Sequence, residues 1–371
     1  MLMNRSGKTP KYRTVCDTLQ REIQSGRLGP GDRLPSEAQL ERRFGASRIT
    51  VGRAVRDLQL AGLVERRPGA GSYVKARSLS DALSFGLLIP DLGETEIFES
   101  ICQGMMASPL ARQHALLWGS VTSAVASREE RAWHLCRQYI DRRVSGVFFA
   151  PLELTSGKDI INLRIAQALD DAGIPLVLLD RTVVPYPERG THDLVGIDNR
   201  RAGYRITEHL LRQRVRRIAF VAVEHAAATV EAREAGYREA LYRWNSPINR
   251  DLIQRLDPTD LERVKSLMAC EPEGIVCAND WTAARLMRSI LELGYQVPET
   301  VRLVGVDDMD YANLLPVPLT TLRQPTREIG EAAFAAMLDR VGRPDAPARD
   351  ILLQTQLVVR RSCGASQATG T

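Results

Sequence analysis

From Phe85 onward the chain keeps one rhythm, short apolar runs separated by amphipathic helical stretches, and no other feature narrows its fold as much. The runs are Phe85–Pro90, Ala115–Trp118, Gly146–Ala150, Pro175–Leu179, Leu194–Ile197, Ile218–Val223, Gly274–Cys277 and Leu303–Val306. Helical periodicity falls between them, as at Arg128–Ile140, Arg200–Arg212, Thr229–Arg243 and Thr282–Leu293. A run that is apolar on both faces needs cover on both sides, and alternation with helices supplies it, so the pattern predicts parallel sheets between helical layers. About 280 residues of it exceed one comfortable core, so two lobes are expected. The irregular stretch Arg181–Asp193 is the candidate crossover between them.

The first 77 residues follow another pattern. Tyr12, Val15, Leu19 and Ile23 share one helical face, and Gly26 and Gly29-Pro30-Gly31 stop that helix. Ser36 begins a second helix, where Gln39 completes a capping box; Leu40 and Phe44 face inward and Gly45 makes the turn. Ser47 caps a third helix with Val51, Val55 and Leu58 inside, and Gly62 ends it. Leu63–Arg67, a Pro68-Gly69-Ala70-Gly71 turn and Ser72–Val74 form a hairpin with a basic entry strand. Residues 78–84 are weakly patterned and read as a linker, and 364–371 as a tail. Within the body, 85–363, the expected lobes are about 85–185 with 324–341 and about 190–322 with 345–363.

Charge divides the chain the same way. Residues 1–77 carry 16 lysines and arginines against 7 acids, an excess of nine, whereas the remainder holds 34 against 38. A basic module on an acidic body points to a polyanion partner for the module alone. A recognition helix presents its first turn to base edges in the major groove. Ser47, Arg48 and Thr50 occupy that turn, and Arg48 has the fork and reach for guanine. Arg33, Arg43 and Arg53 can neutralise phosphates. The tip from Gly69 to Gly71 is narrow enough to approach the DNA, with Arg66 and Arg67 behind it.

These residues resemble the GntR family of winged helix-turn-helix regulators. The carriers are the run from Gly26 to Glu37, Phe44-Gly-Ala-Ser-Arg-Ile-Thr-Val51, Leu60-Ala-Gly-Leu-Val-Glu-Arg-Arg67 and Gly69-Ala-Gly-Ser-Tyr-Val74. The resemblance implies operator contacts at Arg33, Ser47, Arg48, Thr50 and Gly69. The chain departs from the family at Gly52, where an arginine is usual, and at Pro68 and Ala70 in the wing.

The larger part resembles the sensor domain of LacI/GalR regulators, a relative of periplasmic sugar-binding proteins. Its carriers include Arg143–Phe148, Ala172–Arg181, Val195–Gly203, Arg217–Phe220, Ala232–Tyr237, Cys277–Asp280, Leu303–Asp308, Leu319–Pro325 and Leu357–Ser362. The implied fold is multidomain: a small α+β winged helix-turn-helix plus a two-lobed, Rossmann-like α/β domain of the periplasmic binding protein type I, paired as in arabinose-type repressors.

In open parallel sheets ligands bind beyond the carboxyl ends of the strands. Asp180, Asn279, Asp280 and Asp307 sit there, and Arg233 lies early in a helix that follows a strand. Carboxylates accept hydroxyl protons and an arginine fork serves adjacent oxygens, a set suited to a sugar or polyol. The resemblance puts effector contacts at Arg233, Asp307, Asn279 and Asp180. Phe98, Phe149 and Trp281 are candidates for stacking on an apolar sugar face, or else core. Asp198-Asn199 reads as a turn and helix cap. The expected protein is a cytoplasmic homodimer that binds a near-palindromic operator and is released by a sugar-like effector; the alternative is a co-repressed or activating regulator sensing a non-sugar molecule.

Other classes fit poorly. No phosphate loop or nucleophile elbow occurs. Lys158 and Lys265, the lysines beyond Lys75, lie in unsuitable places for a Schiff base, so no enzyme or cofactor is expected. The five histidines and six cysteines share no metal-ligand spacing. The N-terminus lacks the apolar segment of an exported binding protein, and no run of about 18 apolar residues suggests a membrane span.

Overall fold

The computed structural model describes residues 11–24, 27–29, 31–60, 62–67, 70–74, 82–89, 96–119 and 127–365. They form two compact units, residues up to Leu83 with Leu338–Pro347, and Ser84–Met337 with those from Ala348 on.

The first unit contains α1 (Lys11–Gln24), α2 (Glu37–Phe44), α3 (Arg48–Leu60), β1 (Val64–Arg67) and β2 (Gly71–Val74). Val15, Leu19, Leu40, Val51, Ala54, Leu58, Val64 and Val74 form one buried cluster. The apolar stripes of three helices and one face of the hairpin therefore close a single small core. Both capping-box bonds are made: the Gln39 N–H donates to Ser36 Oγ and the Ser36 N–H to Gln39 Oε1. Gly45 ends α2 at φ 55°, a left-handed conformation that a Cβ would strain. β1 and β2 pair antiparallel, Arg67 opposite Gly71.

The second unit runs β3 (Ser84–Leu88), α4 (Glu96–Ala107), β4 (Ala115–Trp118), α5 (Arg128–Asp141), β5 (Gly146–Phe149), α6 (Lys158–Asp171), β6 (Leu176–Leu179), β7 (Asp193–Ile197), α7 (Asn199–Arg212), β8 (Ile218–Ala222), α8 (Ala228–Arg243), β9 (Ile253–Arg255), α9 (Leu261–Ala269), β10 (Gly274–Cys277), α10 (Asp280–Glu292), β11 (Arg302–Asp307), β12 (Thr320–Arg323), α11 (Thr326–Gly342, whose residues from Leu338 on are counted with the first unit), β13 (Asp350–Leu353) and β14 (Gln356–Val358). Two six-stranded sheets result. One has the order β4-β3-β5-β6-β7-β13 and is wholly parallel; the other is β9-β8-β10-β11-β12-β14, with β14 alone antiparallel. Each sheet anchors its own buried cluster, around Val147, Phe149 and Leu178 in the first lobe and Ile275, Leu286 and Leu303 in the second.

The lobe boundaries differ from the sequence reading. β7 and β13 pair with each other in the first sheet, so residues 193–197 and 350–353 belong to the first lobe. Arg181–Asp193 joins β6 to β7 within that sheet and is not a crossover. The chain passes between lobes at Ile197–Asn199, Arg323–Thr326 and Leu353–Gln356. Period and apolarity identify Leu194–Ile197 as a strand, but they do not name the strand it pairs with. The expected linker meets β3 at Ser84, and residues 78–81 of it lie outside the described residues.

Candidate functional site

A cleft of about 460 Å³ opens at the carboxyl ends of the strands, lined from both lobes of the second unit. Glu153, Asp180 and Arg181 come from the first lobe, and Arg233, Asn279, Thr282 and Asp307 from the second. Gln324, on a crossing segment, completes the polar lining, and Trp281, Val230, Met309 and Tyr311 add apolar surface.

Arg233 is placed by an unusually close helix pair. An added Cβ on Gly203 of α7 would lie 1.9 Å from the Arg233 carbonyl oxygen, and one on Gly236 of α8 1.9 Å from that of Arg200. Only glycine permits this approach, which presses α8 against the start of α7. The Arg233 Nε then donates to Asn199 Oδ1 at 2.8 Å and its Nη1 to the Ala278 carbonyl at 2.7 Å. Its Nη2 lies 3.7 Å from Asp307 Oδ1. Asp198 caps α7, accepting from the Arg201 N–H, as its position in the sequence suggests.

Asp180, Asp307 and Asp308 have positive φ, 65°, 129° and 59°. Non-glycine residues are strained there, and such strain gathers at functional sites. Gln324 Nε2 donates to Asp307 Oδ1 at 2.8 Å. Burial pushes the Asp307 carboxyl well above the usual carboxylate range, Arg233 pulls it back in part, and Asp280 adds to the rise.

On the first-lobe wall, Arg181 is clamped. Its Nη1 lies 2.7 Å from Glu153 Oε1, its Nε 3.3 Å from Asp180 Oδ2, and its guanidinium 5.3 Å from the Phe98 ring centre. Burial alone would raise the Glu153 carboxyl. Arg181, the Ala227 N–H and Arg233 outweigh that effect and hold it below its usual value.

Arg233, Asp307, Asn279, Asp180 and Trp281 thus line one cleft. Asp280 does not join them. Fully buried, it accepts from Thr321 Oγ1 at 2.6 Å and the Met309 N–H at 3.0 Å, tying the start of α10 to β12 and to the loop after β11. Phe98 is buried under Arg181, and Phe149 is a core side chain of the first lobe. Glu153, Gln324 and Thr282 escaped the sequence reading. Glu153 and Gln324 follow β5 and β12 closely, so the strand-end rule that found Asp180 could have found them.

In the first unit, Ser47 caps the first turn of α3, its Oγ 2.9 Å from Thr50 Oγ1. Arg48 is exposed and its Nε lies 3.3 Å from Glu37 Oε2; Arg66 Nη2 reaches the same carboxylate at 4.0 Å. Arg33 is exposed beside the wing, its Nε 3.0 Å from where a Gly71 Cβ would stand. Arg53 stacks 4.0 Å over the Tyr12 ring. Arg43 pairs with the buried Glu22 carboxylate through both terminal nitrogens, a fold-holding contact and not a free phosphate ligand. Gly69 lies outside the described residues. A Cβ on Gly52 would meet nothing within 4 Å, so packing does not exclude a larger residue there. Sequence reasoning also passes over Ile49, 85% exposed on the same first turn as Arg48.

A basic helix-turn-helix with an exposed first turn, on the same chain as a two-lobed cleft domain, defines a transcription regulator with its own sensor. Residues 11–74 match the model of the bacterial regulatory proteins of the gntR family, and residues 207–363 that of the periplasmic binding protein-like domain. The arabinose metabolism transcriptional repressor of Geobacillus stearothermophilus is 25% identical over 376 residues, covering 95% of this chain and 97% of the repressor. The repressor PurR of Vibrio campbellii is 28% identical over 232 residues, 61% of this chain and 66% of PurR. A ribose-bound LacI family regulator of Enterococcus faecalis superposes with a TM-score of 0.61 at 26% identity, over 75% of this chain and 98% of that one. The CelR–cellobiose complex gives 0.64 at 24% identity over 85% and 91%, a likeness of fold. The chain joins a gntR-type winged helix-turn-helix head to a periplasmic binding protein-like domain of the LacI-regulator fold.

Proposed function

We propose that this protein represses transcription in the cytoplasm by binding an operator through its head, and that a sugar or polyol in the cleft releases it. The observation that carries the sensor half is the convergence of Arg233, Asp307, Asn279, Asp180 and Gln324, contributed by both lobes, on one partly apolar cleft of ligand size. Groups from two lobes make closure and ligand binding one event. A ligand then shifts the open–closed equilibrium by as much as it prefers one form. Ribose in the Enterococcus relative and the arabinose repressor's name support a saccharide.

In the head, Arg48 reads guanine, with Ser47 and Thr50 beside it, while Arg33, Arg53 and Arg66 meet phosphates and Gly69 brings the wing to the DNA. Ile49 adds an apolar contact suited to a thymine methyl. A homodimer on a near-palindrome supplies the readout that one head lacks. Exposed Met106, Leu110 and Trp118, on consecutive first-lobe segments, are apolar surface consistent with such a partner. The test is titration of the operator upstream of the regulated genes with and without sugars; a steeply salt-dependent complex weakened by one sugar is expected.

A further inference from the structure

Whether the effector carries charge follows from which cleft groups are already committed. Both buried guanidinium groups are: Arg181 to Glu153, Asp180 and the Phe98 ring, Arg233 to Asn199, the Ala278 carbonyl and Asp307. Arg128, the third arginine of the lining, is engaged as well.

Two of the buried side-chain atoms of the lining that lack a partner are pure acceptors. Asp180 Oδ1 and Gln324 Oε1 are buried acceptors with no donor, in residues 7% and 4% exposed. The Thr282 hydroxyl, fully buried on the same lining, is unpartnered too. Buried acceptors call for donor hydrogens, which hydroxyl groups supply and a phosphate or carboxylate does not. An anion entering here would meet the Glu153 and Asp180 carboxylates in a low-dielectric space, with both buried guanidinium groups already taken.

We propose that the cleft selects an uncharged polyhydroxylated ligand and rejects its phosphorylated and carboxylated counterparts. This rests on the sensor reading above and narrows it: the discriminating residues are Asp180 and Gln324, with Glu153 closing off compensation for a negative charge.

The experiment is calorimetry and thermal shift on the full-length protein with matched sets: ribose, arabinose and glucose, their terminal phosphates, and the corresponding aldonates. The expected result is that at least one neutral sugar binds and its charged forms bind roughly 100-fold more weakly or not at all, since opposed like charges cost several kcal/mol. In Asp180→Asn, which keeps shape and removes charge, the gap should narrow about tenfold; the wild-type comparison stands whether or not that variant folds. A charged form binding as tightly as its neutral parent would overturn the selectivity while leaving the sensor reading intact. Binding of no saccharide of either kind, with a wider library yielding a non-sugar ligand, would overturn both.

Discussion

Glu153 and Ala227 face each other from opposite lobes, the Glu153 Oε2 accepting the Ala227 backbone N–H at 3.2 Å. Ala227 stands at the N-cap of α8 and offers no side-chain cap of its own. The carboxylate therefore caps, from across the cleft, the helix that carries Arg233, at the end where the helix dipole favours negative charge. Beside it, the Leu154 N–H donates to the His225 carbonyl at 2.7 Å. The two bonds tie the lobes together across the cleft.

Glu153→Ala should therefore favour the open form. It removes a charged hydrogen bond and one partner of Arg181, so saccharide affinity should fall by about 1.5–3 kcal/mol. Calorimetry measures the loss, and small-angle scattering of the unliganded variant should show a more extended particle. An unchanged scattering profile and affinity would exclude this role for the tie.

Arg233 should prove costly to remove. Arg233→Ala strands Asn199, the Ala278 carbonyl and Asp307 in a buried site, where breaking a paired charge costs about 3 kcal/mol or more. Lysine cannot reproduce the fork, so Arg233→Lys should bind ligand as poorly while regaining part of the stability. Chemical denaturation and calorimetry separate the two effects.

Ligand binding should depend on pH through Asp307. Arg233, Asp280, Asp180 and Gln324 face it, and burial raises its carboxyl above the usual range. The folded protein thus prefers the neutral acid. Its contribution to stability is full below the ordinary carboxylate value of about 4, and is lost as pH rises through the raised value. A hydroxyl donated to Asp307 favours the ionised form instead, so affinity should increase between about pH 5.5 and 8 with release of a proton on binding. Asp307→Asn should flatten that slope. Proton uptake, measured calorimetrically in buffers of different ionisation heat, would contradict the assignment.

Two arginines in the head should separate recognition from folding. Arg48→Ala should cost about 1–3 kcal/mol of operator affinity and relax sequence preference. Arg43→Ala leaves the buried Glu22 carboxylate without its bidentate partner. It should lower the melting temperature of the head while leaving base preference unchanged. A circular dichroism melt and a binding-site selection tell the two apart.

Much of this was legible because it rests on local chemistry. Ser36 with Gln39, the inward stripe of Val51, Val55 and Leu58, and the apolar runs of the central strands follow from periodicity and capping alone. Lobe membership did not, since β7 and β13 meet 156 residues apart in sequence, Leu194 opposite Asp350. The edge strands β9 and β14 are only part-buried and lack the apolar signature of central ones. Within the cleft, the polar residue after a strand was the useful signal. It found Asp180, Asn279 and Asp307, missed Glu153 by a few residues of loop, and included Asp280, whose carboxylate turns away to Thr321 and Met309. Direction of a side chain at a strand end depends on backbone dihedrals, such as the positive φ of Asp307, that residue identity does not announce.

Coupling between cleft and head is the central claim, and operator titration of the full-length protein with and without the bound sugar tests it directly. The account predicts that the sugar weakens operator binding by about 1–3 kcal/mol and that Arg233→Ala abolishes the effect while still binding DNA. Operator affinity indifferent to the sugar, or an equal response in Arg233→Ala, would contradict it.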